Sequence, residues 1–175
     1  NLSTGSADKI AMVRSKIQFI KGDITRAADC AKACKGVTYV LHQAAIRSVP
    51  KSMDRPQPSN EANVTGTLNM LVAARDAGVK RFVYASSSSA YGNCKVFPQR
   101  EDMRSQPMSP YAVSKLAAEY YAIVFAKSFG LETVSLRYFN VFGPRQDPES
   151  LYSAVIPKFM EQAYLGVPLD VHWDG

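Results

Sequence analysis

Long apolar segments, charge runs and soft metal ligands are all scarce in this 175-residue sequence. No apolar stretch approaches the roughly 18 residues of a membrane-spanning helix, so no membrane span is expected. Lys and Arg number 21 against 15 Asp and Glu, a formal charge of +6, but the basic residues are scattered with no run of four. That favours anionic partners while lacking the basic stripe of a nucleic-acid binder. Three cysteines, Cys30, Cys34 and Cys94, make an odd count and read as reduced thiols packed as small apolar groups. The two histidines, His42 and His172, lie far apart, so no metal site is expected. Asn1-Leu2-Ser3-Thr4-Gly5 has neither the basic head nor the apolar core of a secretion signal, and a cytoplasmic location is expected. Disorder is excluded by apolar residues, 46% of the chain and spread throughout it.

What is present is an alternation of apolar strands and helical patterns. Ile17–Ile20 is an apolar run closed by Lys21-Gly22-Asp23, and Thr25 can cap a helix through Lys35 that Gly36 ends. Val37–Leu41 is β-branched and aromatic, as suits a strand buried on both faces. A Pro- and Ser-rich stretch from Arg47 to Ser59 reads as a loop, and Asn60–Ala77 as a helix stopped by Gly78. Arg81–Ala85 is the next strand, running into Ser86–Ser89. Tyr111–Phe129 is a long helix ended by Gly130, Thr133–Tyr138 a strand, and Tyr152–Leu165 a helix that Pro157 can kink. Leu169–Trp173 could begin a strand. This order predicts a doubly wound α/β fold with a parallel sheet and helices on both faces. Ligands then sit at the carboxyl ends of the strands, where Gly22-Asp23, His42–Arg47, Ser86–Ser89 and Asn140 all fall.

The sharpest feature is Tyr111-x-x-x-Lys115 opening a helix, 24 residues after Ser87. Residues at i and i+4 share a helix face. A phenol is a poor base at neutral pH, and a nearby ammonium favours its ionised form. A serine hydroxyl can then hold a substrate oxygen while the tyrosine takes its proton.

With these motifs assembled, the sequence resembles the extended short-chain dehydrogenase/reductase family, and its nucleotide-sugar 4-epimerases in particular. The resemblance rests on Asn1-Leu2-Ser3-Thr4-Gly5, Gly22-Asp23-Ile24, His42-Gln43-Ala44-Ala45, Asn60-Glu61-Ala62-Asn63-Val64 and Ser86 to Gly92. It continues through Ser109-Pro110-Tyr111-Ala112-Val113-Ser114-Lys115 and Leu136-Arg137-Tyr138-Phe139-Asn140-Val141-Phe142-Gly143. Arg145-Gln146-Asp147-Pro148 and Ala154-Val155-Ile156-Pro157-Lys158 look most like the branch acting on UDP-N-acetylglucosamine and UDP-glucose. The resemblance implies a Rossmann-type fold and NAD as cofactor. It implies Asn1, Ser3, Thr4 and Gly5 near the adenosine ribose, and Asp23 and Ile24 flanking the adenine. It implies Gln43, Ala44 and Ala45 along the pyrophosphate and nicotinamide ribose, Tyr111 and Lys115 bonding that ribose, Tyr138 near the nicotinamide, and Asn63 in support. For catalysis it implies Tyr111, Lys115 and Ser87, with Ser88 as neighbour; for the UDP-sugar it implies Arg47, Ser48, Ser87, Ser88, Asn140 and Val155. As lesser alternatives, Asp23 suits a turn or cap and Ala44-Ala45 plain tight packing, while Arg47 suits a phosphate and a basic loop equally.

The implied reaction is reversible C4 epimerisation of a UDP-hexose through a 4-keto sugar, with transient hydride transfer to NAD. UDP-glucuronate 4-epimerase, another epimerase/dehydratase, or a non-catalytic NAD-binding relative remain alternatives. Dehydratases of the family carry Asp-Glu where Ser88-Ser89 stand, and decarboxylases a Glu where Ser89 stands, which disfavours both. The family pattern also places a glycine-rich strand–turn–helix ahead of Asn1. Residues 1–150 are then expected to form a dinucleotide-binding domain lacking that first βα unit, and 151–175 the start of a substrate domain. The whole would be a protein of roughly 310–350 residues. A homodimer through the helices at Asn60–Ala77 and Tyr111–Phe129 is implied as well.

Overall fold

The structure is a computed structural model, and it describes residues 1–3, 5–144, 146, 155–169 and 171. Thr4, the start of the helix expected from Tyr152 and most of the strand expected at Leu169–Trp173 lie outside the described residues. The chain divides into two compact units, Asn1–Tyr138 and Phe139–Gly175. The second holds one described helix, Val155–Leu165, with Pro157 in its first turn, where a missing N–H leaves no bond unmade. No helix among the described residues is long and apolar enough to cross a membrane.

The first unit is built on three parallel strands in the order β1 (Tyr39–His42), β2 (Arg81–Ser87), β3 (Glu132–Tyr138). His42 pairs with Tyr84, Ser86 with Arg137, and Ser87 with Tyr138. Side chains alternate between faces, so Val40, His42, Phe82, Tyr84 and Ser86 share one face and Leu41, Val83, Ala85 and Ser87 the other. The first face meets α1 (Ala27–Cys34), α4 (Gly66–Asp76) and α5 (Pro110–Phe129). There Cys30, Cys34, Val40, Leu71, Ala74, Phe82, Tyr84, Ala118 and Phe125 form the core. The sequence expectation of a parallel α/β sheet holds. The expectation that β1 is buried on both faces does not: Tyr39 is 63% exposed and Leu41 71%. The apolar pattern of this strand suits two covered faces, but the described helices pack on one.

The apolar run Ile17–Ile20 takes no strand conformation. Two local expectations change. Thr25 does not cap α1, which starts at Ala27; instead Asp23 Oδ1 accepts from both the Thr25 N–H (2.9 Å) and the Thr25 hydroxyl (2.8 Å). The stretch expected as a loop from Arg47 to Ser59 holds two short helices, α2 (Val49–Asp54) and α3 (Pro56–Asn60). Their prolines sit in first turns, where proline is tolerated. A π-helical turn, Glu61–Thr65, joins α3 to α4. Gly130, at φ 72°, takes the left-handed conformation that ends α5.

Candidate active site

Tyr111 is fixed by a set of hydroxyls around the first turn of α5. Ser109 Oγ accepts the Ala112 N–H at 3.1 Å as the N-cap, with Pro110 following in the first turn. The N–H of Tyr111 donates to Ser52 Oγ at 3.0 Å, and the Ser114 hydroxyl donates to the Tyr111 carbonyl at 2.8 Å. Ser52, fully buried in α2, donates its own hydrogen to the Val49 carbonyl. Lys115, one turn further along the same face, is only 4% exposed. Burial pushes its ammonium down to about 8, because the charged form loses solvation.

The end of β2 splits its serines between the two sheet faces. Ser86 turns toward α5 and donates to Glu119 at 2.9 Å, while its register partner Arg137 lies 2.9 Å from the same carboxylate. Arg137 also donates to Ser105 and stands over the Tyr91 ring. Ser87 turns to the other face beside Tyr138. Its Oγ accepts from both the N–H (3.2 Å) and the hydroxyl (2.9 Å) of Ser89, which leaves its own hydrogen free to donate outward. Ser88 follows in a 3₁₀ turn, Ser88–Tyr91, half-buried. Gly92 closes that turn at φ 63°, where a Cβ would run into the Gln106 carbonyl.

After β1, Asn63 organises the chain from inside the π-helical turn. Its Oδ1 accepts the Ile46 N–H at 2.8 Å, and its Nδ2 donates to the Ile46 carbonyl and to Ser114 Oγ, both at 3.0 Å. This fully buried amide therefore ties the loop after β1 to the start of α5. Both donors are taken, so its part is support rather than a direct ligand contact. Ala45 is half-buried, and Gln43, Ala44 and Arg47 are exposed. Ser48, expected to touch substrate, is 6% exposed, and its hydroxyl caps α2, accepting the Lys51 N–H at 3.0 Å.

The Asp23 carboxylate accepts from Asn1 Nδ2 and from Thr25, and these bonds pull it down to about 2. The Ser3 N–H donates to Asn1 Oδ1 at 3.0 Å, and Gly5 is exposed. Two cavities of about 340 and 310 Å³ meet here, both lined by Gly22, Asp23, Ile24 and Ala44. Asn1, Ser3 and Ala45 line the larger, and Gln43 the smaller. Asn140 and Val155 are exposed residues of the second unit.

Small side chains, a held carboxylate and a cation with no ion-pair partner among the described residues fit a dinucleotide bearing hydroxyls and flat bases. Sequence reasoning missed Ser52, whose contact spans 59 residues and leaves no local signal, and Tyr84, which reads as ordinary strand core. It also missed the Ser109 cap, although a Ser-Pro pair is the local signal of a helix start.

Fold and site together define a Rossmann-type α/β protein with Ser87 at the end of β2 and Tyr111 and Lys115 in the first turns of α5. Comparison with known proteins makes this specific. The chain belongs to the NAD dependent epimerase/dehydratase family, whose model matches residues 2–175. It is 35% identical to the UDP-glucose 4-epimerase of Mycolicibacterium smegmatis, covering 100% of this chain and 57% of that protein. Among solved structures it is similar to a UDP-N-acetylglucosamine 4-epimerase from Methanobrevibacter ruminantium in complex with UDP-N-acetylmuramic acid. The TM-score there is 0.94 at 39% identity, covering 100% of this chain and 56% of that one. A Thermus thermophilus UDP-glucose 4-epimerase in complex with NAD gives a TM-score of 0.85 at 38% identity, covering 95% and 54%. The chain thus spans about half the length of the relatives it matches.

Proposed function

We propose that this protein reversibly inverts C4 of a UDP-hexose, UDP-GlcNAc to UDP-GalNAc or UDP-glucose to UDP-galactose, with NAD as resident cofactor. The reading is carried by Tyr111 and Lys115 on one face of the first turns of α5, at the strand ends where Ser87 keeps a free donor. NAD, when bound, supplies the acceptor for the C4 hydride. Asp23, Ile24, Ala44 and Ala45 would hold its adenosine and pyrophosphate, and Lys115 and Tyr111 its second ribose. Ser87 donates to the sugar 4-oxygen and orients it. Tyr111 Oη takes the 4-hydroxyl proton and returns it once the sugar presents its opposite face. Lys115 places positive charge beside the transfer, which stabilises the negative charge developing on oxygen. Arg47, Asn140 and Val155 are candidates for the UDP-sugar, and a cytoplasmic homodimer is the assembly we infer.

The test is to incubate the full-length protein with UDP-GlcNAc, UDP-glucose and UDP-glucuronate separately and resolve the C4 epimers by NMR. Conversion of either of the first two with NAD unchanged overall is expected, and Tyr111→Phe should lose at least about a hundredfold in turnover while retaining the nucleotide. Bound NAD without conversion of any sugar would end the reading, and conversion of UDP-glucuronate alone would replace the substrate.

A further inference from the structure

Beneath Lys115 lies an aromatic seat that none of the catalytic motifs includes. Tyr84, in the middle of β2, is 1% exposed, and the Lys115 ammonium nitrogen stands 4.7 Å from the centre of its ring. The Tyr84 hydroxyl donates to the main-chain carbonyl of Lys115 at 3.3 Å, so one side chain meets both ends of that residue. His42, the register partner of Tyr84, stacks beside it with ring centres 6.0 Å apart and planes 25° from parallel. His42 in turn is held by Thr67 of α4, its Nε2 3.0 Å from the threonine hydroxyl.

A buried ammonium needs a counter-interaction, and among the described residues no carboxylate comes within ion-pair distance of Lys115. Glu119, one turn further along α5, is engaged by Arg137 of β3 and by Ser86. The remaining titratable groups facing the pair are His42 from β1 and Tyr111 from α5; α4 contributes Thr67, which does not titrate. Burial, and then the charge of Lys115, push His42 down to about 4, so it stands neutral near pH 7 and adds no second cation. The negative face of an aromatic ring is what remains to receive the charge, and such a contact strengthens when desolvated.

We propose that Tyr84 is a positioning residue for Lys115: its ring, backed by His42, is the seat that holds the ammonium at the site beside Tyr111. The seat's effect on turnover rests on the epimerase reading, but the seat itself does not. The test therefore has two readouts. In the full-length protein without NAD, the Lys115 ¹³Cε resonance, assigned by its loss in Lys115→Met, is titrated by NMR and should turn over near 8 in the parent protein. Tyr84→Leu should lower that midpoint by about one unit, and Tyr84→Phe should keep it within about 0.3 units. Turnover of the Leu variant at pH 7 should fall about tenfold in kcat, with KM within about threefold.

Should Tyr84→Leu fail to fold, phenylalanines carrying one to four ring fluorines at position 84 decide the matter, because fluorination weakens the ring's negative face at nearly constant shape. A midpoint falling stepwise with fluorine number supports the seat, as no plain packing role would produce it. A midpoint unchanged across the series, or an equal shift in the Leu and Phe variants, overturns it. If the parent protein converts no sugar nucleotide, the epimerase reading fails while the titration still decides the seat.

Discussion

Lys115 is held in its ionised form at the expense of stability, and the sign of that cost can be read from pH. Its folded-state value of about 8 lies below its ordinary 10.5 because burial removes water from the ammonium. Below pH 8 the group is charged in both states and the folded chain bears the whole penalty. Between 8 and 10.5 the unfolded chain keeps a proton the folded chain has lost, so stability rises with pH. The full shift corresponds to about 3 kcal/mol. Lys115→Met keeps the stem without the charge, and at pH 7 it should stabilise the full-length protein by about 1–3 kcal/mol while abolishing turnover. The gain should shrink as pH climbs from 8 toward 10.5; a variant no more stable than its parent at pH 7 would refute the buried charge. His42 gives the acid-side counterpart. Its value of about 4 against an ordinary 6.5 means that the unfolded chain takes up a proton in that window and the folded chain does not. Stability is full above about 6.5 and falls on acidification, by about 2 kcal/mol at pH 5. Urea midpoints at pH 7 and pH 5 check this, and His42→Gln, which cannot titrate, should flatten the difference. Asp23, lowered from 3.8 to about 2, gives up its contribution only below about pH 4, outside this window.

The elements that hold the site were unequally legible. α5 starts one residue before the expected Tyr111, because Pro110 belongs to its first turn under the Ser109 cap, while its end was readable because Gly130 follows an apolar run. Helices α2 and α3 were not, since Pro50, Pro56 and Pro58 counted as breakers until their first-turn positions were seen. The π-helical turn has no sequence signal: Asn60–Ala77 was read as one continuous helix, which leaves out the widened turn carrying Asn63. Yet that turn is what aims one amide at both Ile46 and Ser114. Asn63→Ala leaves the Ile46 N–H and carbonyl without those partners and opens a void, and should cost about 2–4 kcal/mol by chemical denaturation. Ser52→Ala removes the bonds to the Tyr111 N–H and to the Val49 carbonyl and should cost about 1–2 kcal/mol, lowering kcat more than KM because it loosens the reacting side chain. A change under about 0.5 kcal/mol for Asn63→Ala would mean that the loop after β1 is held by other contacts.

At the scale of the molecule, strand order gave away the place of the site, because parallel strands with right-handed crossovers bring all their carboxyl ends to one edge. Ser87 and Tyr138, 51 residues apart, are register partners for that reason. What the sequence could not disclose is which apolar surface is left over once the core is filled. On α5, Ala112, Ala118, Ala122 and Phe125 are buried, while Val113, Tyr120 and Val124 recur at helical spacing on the opposite side and are exposed. In the homodimer proposed above, through the helices expected at Asn60–Ala77 and Tyr111–Phe129, this stripe on the 20-residue α5 would be part of the contact about a two-fold axis. The full-length protein should therefore sediment as a dimer at micromolar concentration. Tyr120→Glu combined with Val124→Glu should bring it to the monomer mass, because two carboxylates per chain would have to be buried unpaired across the axis. A protein that sediments as a monomer before any substitution, or a double variant that remains dimeric, would place that stripe outside any self-contact.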